Sequence, residues 1–190
     1  MARSSARVVG GRLAGRRLRS PAAGTRPATA IIRSAIFDRP DVRERIEDGT
    51  VLDLYAGAGY LGIEAMSRGS AWVDFVERAG PACAVIRRNL AELGLTEYGR
   101  VHRMPVERCF SRIASRADVA FVDPPYGVDA RRVVDQLDER GVLEQDGLLL
   151  WRRRIGGVSA LAPPPDHIGG LLRIDLRRYG DGAIDVYRHA

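Results

Sequence analysis

Between residues 50 and 151 the chain alternates short apolar runs with longer amphipathic stretches, and this alternation constrains the fold more than any other feature. The apolar runs are typical of buried strands, and the stretches between them are typical of helices. Strands that are joined through helices pair in parallel and bury both faces of their sheet under those helices. The sequence therefore predicts a mainly parallel α/β sheet with helices on both faces, built from strands 50–54, 72–76, 99–104, 118–122 and 147–151 and helices 60–68, 80–93, 106–113 and 129–139.

The two ends of the chain follow different patterns. Residues 7–19 alternate around glycines and predict a small N-terminal hairpin, and residues 27–47 are predicted to be helical with a break at Pro40. Near the other end, the runs 171–178 and 183–188 flank a Gly-Asp-Gly turn. Such a turn between two strand-like runs predicts a closing antiparallel hairpin.

The fourth predicted strand runs directly into Asp123-Pro124-Pro125-Tyr126. Two successive prolines fix the backbone and remove two donors, so the strand ends and its carbonyl groups stay free. A carboxylate, a free carbonyl and an aromatic ring at one corner can hold a planar exocyclic amine. Asp123 and the Pro124 carbonyl would accept its two hydrogens and Tyr126 would stack on its ring. The alternative is a turn that only ends the strand.

A glycine-rich turn follows the first predicted strand. The spacing of Gly57, Gly59 and Gly62 fits the pattern in which glycines let a backbone approach a ligand at a helix N-terminus. Glu77 ends the next strand, where an acid holds ribose hydroxyls, so a dinucleotide enzyme is one interpretation. Asp53, directly before the turn, is awkward beside a pyrophosphate but suits a ligand with a cationic amino-acid moiety. These residues favour S-adenosylmethionine as the cofactor.

In order and spacing, these motifs resemble a class I S-adenosylmethionine-dependent methyltransferase, and most closely the RsmD family. The segment 7–18 resembles the opening hairpin of that family, and 26–37 resembles its R-P-T-x-D-R-V-R-E-x-L-F segment. The segment 54–69 resembles its L-F-A-G-S-G-x-L-G-x-E-A-x-S-R-G motif. The resemblance implies a Rossmann-like fold and methylation of N2 of a guanine in small-subunit (16S) ribosomal RNA.

The resemblance also implies which residues form the site. Asp123, Pro124, Pro125 and Tyr126 match the catalytic motif. The residues implied in cofactor binding are Asp53, Tyr55, Gly57, Gly59, Glu77, Arg78 and Glu107.

The chain departs from the family pattern at several positions. The acid, arginine and glutamate of the N-terminal segment fall here on Ala30, Ile31 and Ser34. After the third strand, where relatives place an acid near the adenine, this chain has Pro105, and Glu107 is the candidate replacement.

Positive charge is concentrated at the N-terminus. All 30 basic residues are arginine, and eight of them precede the first acid, Asp38; the remaining 22 face 24 acids, a net charge of −2. An N-terminal segment of this kind would neutralise phosphates and make binding salt-dependent. We therefore divide the chain into a basic hairpin extension (1–25) that contacts RNA and a methyltransferase domain (26–190), with the RNA-binding candidates Arg7, Arg12, Arg16, Arg17, Arg26 and Arg33.

Other features favour a cytoplasmic monomer without a metal. No apolar run approaches the roughly 20 residues of a membrane span, and Cys83 and Cys109 lack metal-ligand spacing, which predicts buried or free thiols. The three histidines, at 102, 167 and 189, are scattered without a paired acid. The run 152–154 of arginines indicates a solvated face, with RNA contact as the alternative.

Two other functions stay open. The Asp-Pro-Pro-Tyr motif is shared among amino methyltransferases, so the substrate could be adenine N6 or cytosine N4 of DNA, although no separate DNA-recognition domain is visible. The departures at Ala30, Ile31, Ser34 and Pro105 also allow an inactive relative that only binds nucleic acid. An inactive relative could have lost cofactor affinity, whereas either enzyme must retain it.

Overall fold

A computed structural model describes residues 6–20, 29–125, 127–157, 160 and 162–190. Its strands and helices follow the predicted alternation, with three short 3-10 turns at 11–13, 96–98 and 106–108. In chain order the elements are β1 (Ala6–Arg7), β2 (Arg17–Leu18), α1 (Ala30–Phe37), α2 (Pro40–Ile46), β3 (Thr50–Leu54), α3 (Tyr60–Ser67), β4 (Trp72–Glu77), α4 (Gly80–Leu93), β5 (Gly99–Arg103), β6 (Ala117–Val122), α5 (Arg131–Glu139), β7 (Leu143–Arg154), β8 (His167–Ile168), β9 (Leu171–Tyr179) and β10 (Gly182–His189).

Eight of these strands form one sheet in the order β5-β4-β3-β6-β7-β10-β9-β8. The pairs within β5-β4-β3-β6-β7 are parallel, and those from β7 to β8 are antiparallel. The predicted α/β class and the closing C-terminal hairpin, β9–β10, are thereby confirmed. Among the described helices, none has both the length and the apolar character that crossing a bilayer requires.

The side chains of the parallel strands alternate between two apolar layers. Val51, Phe121 and Leu150 face a layer with the apolar residues of α1 to α4, whereas Leu52 and Val122 face a layer with α5. Helices therefore cover both faces, because each parallel strand presents apolar side chains to both sides.

The predicted break at Pro40 is present, and two other boundaries differ from the predictions. The chain leaves the helical conformation at Asp38 and Arg39, and Pro40 lies in the first turn of α2. The predicted helix 106–113 is a single 3-10 turn at 106–108. The last parallel strand extends over 143–154, because β10 pairs with it over its second half.

The small sheet β1–β2 packs against α3. Its turn donates hydrogen bonds from the backbone N of Val9 and Gly10 to the Glu64 carboxylate, at 2.8 and 2.7 Å. Gly11 has φ +76° and lies so close to α3 that an added Cβ would be 2.1 Å from the Ser67 carbonyl oxygen. The described part of the N-terminal hairpin is therefore docked on the α/β core.

Candidate active site at the carboxyl ends of the strands

The turn between β3 and α3 has an unusual backbone. Tyr55, Gly57 and Gly59 have φ of 60°, 56° and 77°, so three residues of a five-residue turn are left-handed. At Gly62 an added Cβ would lie 2.3 Å from the Phe75 ring, which explains the close approach of α3 to β4. A Cβ on Gly57 would meet nothing closer than 3.9 Å, so this glycine borders open space. The turn can thus admit a ligand against its backbone.

Asp53 lies beneath this turn on β3. It is 1% exposed, and its Oδ2 accepts a 2.9 Å hydrogen bond from the Gly62 backbone N. Burial raises the pKa of Asp53 to about 7; Asp123 and Glu77 act in the same direction, and the Gly62 hydrogen bond opposes them. A cation bound nearby would relieve this cost by favouring the carboxylate.

Glu77 ends β4 and is bonded to the same turn. Its Oε2 accepts a hydrogen bond from the Gly57 N at 2.9 Å, and its Oε1 accepts one from the Ala79 N at 2.8 Å. The carboxylate is therefore held at the edge of the glycine turn by two backbone donors.

Asp123 follows the end of β6. Its Oδ1 accepts a 2.6 Å hydrogen bond from Nε of Arg152, and its backbone N donates to the Leu54 carbonyl. Burial raises the pKa of Asp123, and Arg152 counteracts this shift through its charge and hydrogen bond. Pro124 is buried and Pro125 half-buried, whereas Tyr126 lies outside the described residues.

The sheet register brings the three carboxylates together. Leu54, the last residue of β3, is paired with Val76 on one side and Val122 on the other. Glu77 and Asp123 are the residues that follow these two partners, and Asp53 precedes Leu54. Carboxyl ends of adjacent parallel strands are where α/β folds bind ligands.

Tyr55, Arg78 and Glu107 lie near one another beside the turn. Burial raises the pKa of Tyr55 to about 12, with Glu107 raising it further and Arg78 lowering it. The buried Tyr55 hydroxyl has no hydrogen-bond partner among the described residues. Glu107 is exposed and, with Met104, Pro105, Phe110 and several arginines, lines a cavity of about 510 Å³.

The predicted RNA-binding arginines occupy different environments. Arg7, Arg12, Arg16 and Arg17 are exposed on the hairpin, and Arg26 lies outside the described residues. Arg33, which was predicted to contact RNA, is instead buried. It is 3% exposed, and its Nη2 donates to the Arg7 carbonyl at 2.6 Å. Its guanidinium faces the buried Glu64 carboxylate and the Tyr60 ring, so it supports the hairpin from beneath.

The run 152–154 of arginines is not the solvated face that the sequence indicated. Its first two side chains are 15% and 6% exposed, because β7 lies between β6 and β10. Arg152 contacts Asp123, and Arg153 is buried against Asp185. The sequence analysis did not pair Arg152 with Asp123, because the order and register of the strands follow from tertiary pairing.

Two histidines also differ from the prediction. His102 Nε2 lies 2.6 Å from Asp74 Oδ1 across β4 and β5, and His189 Nδ1 lies 3.7 Å from Asp138 Oδ1, so both have a paired acid. Both cysteines are buried and free, as predicted. In the described part of the chain, no group of three or more His, Cys, Asp or Glu residues is placed to hold a metal ion.

Comparison with known proteins matches the chain to one family model and to proteins described as methyltransferases. The family model Conserved hypothetical protein 95 matches residues 6–188. YlbH of Bacillus subtilis, described as an rRNA methyltransferase, is 32% identical over 96% of this chain and 98% of its own. Ribosomal RNA small subunit methyltransferase D of Escherichia coli is 30% identical, covering 75% of this chain and 72% of its own.

Solved structures resemble the whole chain. A protein from Escherichia coli described as a methyltransferase, yhhF, superposes with a TM-score of 0.83 at 26% identity, covering 98% of each chain. A hypothetical protein from Thermus thermophilus superposes with a TM-score of 0.80 at 30% identity, covering 96% of this chain and 99% of its own.

Proposed function

Because the chain belongs to the family of Conserved hypothetical protein 95, we propose that it transfers a methyl group from S-adenosylmethionine to the exocyclic N2 of a guanine in small-subunit (16S) ribosomal RNA. The observation that carries the proposal is the convergence of Asp53, Glu77 and Asp123 at the carboxyl ends of three adjacent strands, beside the glycine turn. Two of these carboxylates suit the cofactor, and the third suits the amine.

The cofactor is S-adenosylmethionine, and the residues around the turn fit it. Asp53 is a buried carboxylate suited to a cationic amino-acid moiety, and Glu77 is an acceptor suited to ribose hydroxyls. Gly57 leaves the backbone open to the ligand, and Gly59 has the left-handed φ with which the turn ends. The buried Tyr55 hydroxyl, Arg78 and Glu107 complete the proposed contacts, with Glu107 as the candidate for the acid that the family resemblance implies near the adenine.

Asp123 and the Pro124 carbonyl orient the amine. By accepting both amine hydrogens they reduce the delocalisation of the nitrogen lone pair into the ring and direct it toward the methyl group. Tyr126 stacks on the base. When bound, S-adenosylmethionine would supply a methyl group on a positively charged sulfur, which would leave with the bonding electron pair as the nitrogen takes the methyl group. The nitrogen then loses one proton to solvent, so no strong base is needed. Positioning can lower the barrier by several kcal/mol, roughly 7–11 in the best cases.

The RNA reaches this site from the side of the basic hairpin. The exposed Arg7, Arg12, Arg16 and Arg17 are placed to neutralise phosphates, and the target guanine has to be unpaired or flipped out to enter the pocket. We propose that residues 1–25 form the RNA-contacting extension and 26–190 the catalytic domain. We further propose that the protein acts in the cytoplasm as a monomer, on free ribosomal RNA or on the small ribosomal subunit.

The test is transfer of a radiolabelled methyl group to small ribosomal subunits, naked ribosomal RNA and duplex DNA. We expect label as N2-methylguanine in the ribosomal RNA. Asp123→Ala should abolish transfer and leave cofactor binding unchanged, and Asp129→Ala is the matched control, since this exposed acid is bonded only to Arg131 among the described residues.

Other outcomes would overturn the proposal. Label in DNA alone would establish a DNA amino methyltransferase. Bound cofactor with no label in any substrate would favour a protein that binds nucleic acid without modifying it.

A further inference from the structure

Arg152 occupies the same row of the sheet as Asp123. In the parallel pair β6–β7, Val122 is paired with Trp151, so the next residues along the two strands, Asp123 and Arg152, lie side by side. Alternation along a strand also sends their side chains to the same face as Phe121 and Leu150, the face of Asp53. The contact is thus set by backbone register.

The contact uses one carboxylate oxygen. Arg152 Nε lies 2.6 Å from Oδ1, and this is the one hydrogen bond to the Asp123 carboxylate among the described residues. The side chains are only 15% and 16% exposed, so water screens the pair weakly. Oδ2 is thereby available as an acceptor for a substrate.

We propose that Arg152 is a positioning residue for methyl transfer, which fixes Oδ1 of Asp123 and keeps the carboxylate ionised so that Oδ2 accepts a hydrogen from the target amine. This inference rests on the proposed function. It adds a residue outside the Asp-Pro-Pro-Tyr motif to the machinery that orients the amine.

The surroundings of Asp123 explain why a positively charged neighbour is required to keep its carboxylate ionised. Asp53 on β3 and Glu77 on β4 are both acidic, and Asp53 interacts electrostatically with Asp123. Burial favours the protonated form of Asp123, whereas Arg152 on β7 favours the carboxylate through its charge and its hydrogen bond. A protonated carboxyl group donates a hydrogen through its hydroxyl, so it accepts the amine hydrogen poorly and leaves the lone pair in the ring.

The variants Arg152→Gln and Arg152→Lys separate charge from geometry. Glutamine removes the charge, whereas lysine keeps it without the fixed planar donor of a guanidinium. Arg154→Gln is the matched control, since Arg154 lies two residues further along β7 and is paired with Asp181 instead.

The experiment measures kcat, KM for S-adenosylmethionine and KM for RNA between pH 5.5 and 9. We expect Arg152→Gln to lower kcat by about 10²-fold at neutral pH, within the range for losing one positioned donor, with KM for the cofactor unchanged. The rising limb of its pH profile should move to higher pH. Arg152→Lys should keep the wild-type position of that limb at a reduced kcat, and Arg154→Gln should match the wild type.

Two kinetic results would overturn the proposal. One is an Arg152→Gln profile with the wild-type pH dependence; the other is an equal loss of kcat in Arg154→Gln.

Carbon-13 NMR of labelled aspartate gives a second measurement if Arg152→Gln folds poorly. Arg152→Met also removes the charge but keeps an unbranched apolar stem that can pack in the same place. The Asp123 signal, assigned by its absence in Asp123→Asn, should titrate at higher pH in Arg152→Met than in the wild type, and at the wild-type pH in Arg152→Lys. An equal titration in all three proteins would overturn the proposal. A wild type that binds cofactor but methylates no substrate would instead refute the proposed function, and the NMR titration would still test the pair.

Discussion

Glu77 Oε2 accepts a 2.9 Å hydrogen bond from the backbone N of Gly57, which connects the end of β4 to the glycine turn that follows β3. The acid that we propose to hold the ribose therefore also holds the glycine turn that we propose receives the cofactor. One side chain thus connects the two parts of the proposed cofactor site.

This link predicts the effect of Glu77→Gln. The amide keeps one acceptor oxygen but loses the charge and one of the two backbone contacts, since Oε1 accepts from the Ala79 N as well. Charge-assisted hydrogen bonds contribute about 1.5–3 kcal/mol each, so we expect cofactor affinity to fall roughly 10- to 100-fold. Isothermal titration calorimetry with S-adenosylmethionine measures this. Glu97→Gln, a change at an acid near β5, should have wild-type affinity, and an unchanged affinity in Glu77→Gln would remove Glu77 from the cofactor site.

Asp53 should make cofactor binding depend on pH. Its pKa in the folded protein is about 7, and a cationic ligand prefers the ionised form. We therefore expect affinity for S-adenosylmethionine to increase from pH 6 to pH 8 and then level off. Asp53→Asn should bind weakly with a nearly flat dependence over this range, and a wild type with a flat dependence would contradict the prediction.

The same group should affect stability in the opposite direction. Because the folded pKa lies above the usual value of 3.8, the folded protein binds the proton more tightly than the unfolded chain. The stabilisation is complete below pH 3.8 and is lost as the pH rises to about 7, by at most about 4 kcal/mol. Thermal unfolding should show that Asp53→Asn raises the melting temperature of the ligand-free protein more at pH 8 than at pH 5. An equal gain at both values would indicate a different cause.

Glu64 should be a large contributor to stability. It is fully buried, accepts hydrogen bonds from Val9 and Gly10, and lies near the guanidinium groups of Arg33 and Arg68. Removing one partner of a buried ion pair costs about 3–5 kcal/mol, and we expect a loss of this size for Glu64→Ala in urea unfolding. The exposed Glu139→Ala is the control and should change stability little. A loss below about 1 kcal/mol would show that the hairpin contributes little to folding.

The exposed hairpin arginines should determine the salt dependence of RNA binding. Arg12 and Arg16 are exposed on the docked hairpin, with Arg12 over the Tyr98 ring. Each single-strand phosphate contact contributes roughly 0.7 to the slope of log K against log salt, so Arg12→Gln/Arg16→Gln should reduce the slope by about 1.4. Filter binding to ribosomal RNA at several salt concentrations measures it. Arg178→Gln/Arg188→Gln removes the same charge from exposed positions on β9 and β10, and an equal effect there would indicate a non-specific contribution.

Local patterns were enough to predict the succession of strands and helices in the core and the place of the glycine turn. Val51 and its neighbours are apolar on both faces, and Gly57 and Gly59, both with left-handed φ, lie in the turn that their spacing predicted. Partners across strands could not be predicted, because register depends on tertiary pairing. Arg152 beside Asp123 and His102 beside Asp74 are both pairs of this kind.

The burial of a charged residue was the second feature that could not be predicted from the sequence. Arg33 belongs to the basic N-terminal segment by sequence, yet it is enclosed because Glu64, 31 residues further along, supplies a buried carboxylate. The charge count was informative about the hairpin as a whole and misleading for Arg33, whose partner is internal.

Helix α3 begins at the glycine turn, and its Glu64 and Ser67 side chains hold the N-terminal hairpin. At 1.5 Å per residue, the eight residues of α3 span about 12 Å. The spacing between the hairpin that we propose grips RNA and the turn that receives the methyl donor is therefore built into one helix. Bringing these two parts into reach of each other requires no hinge between them.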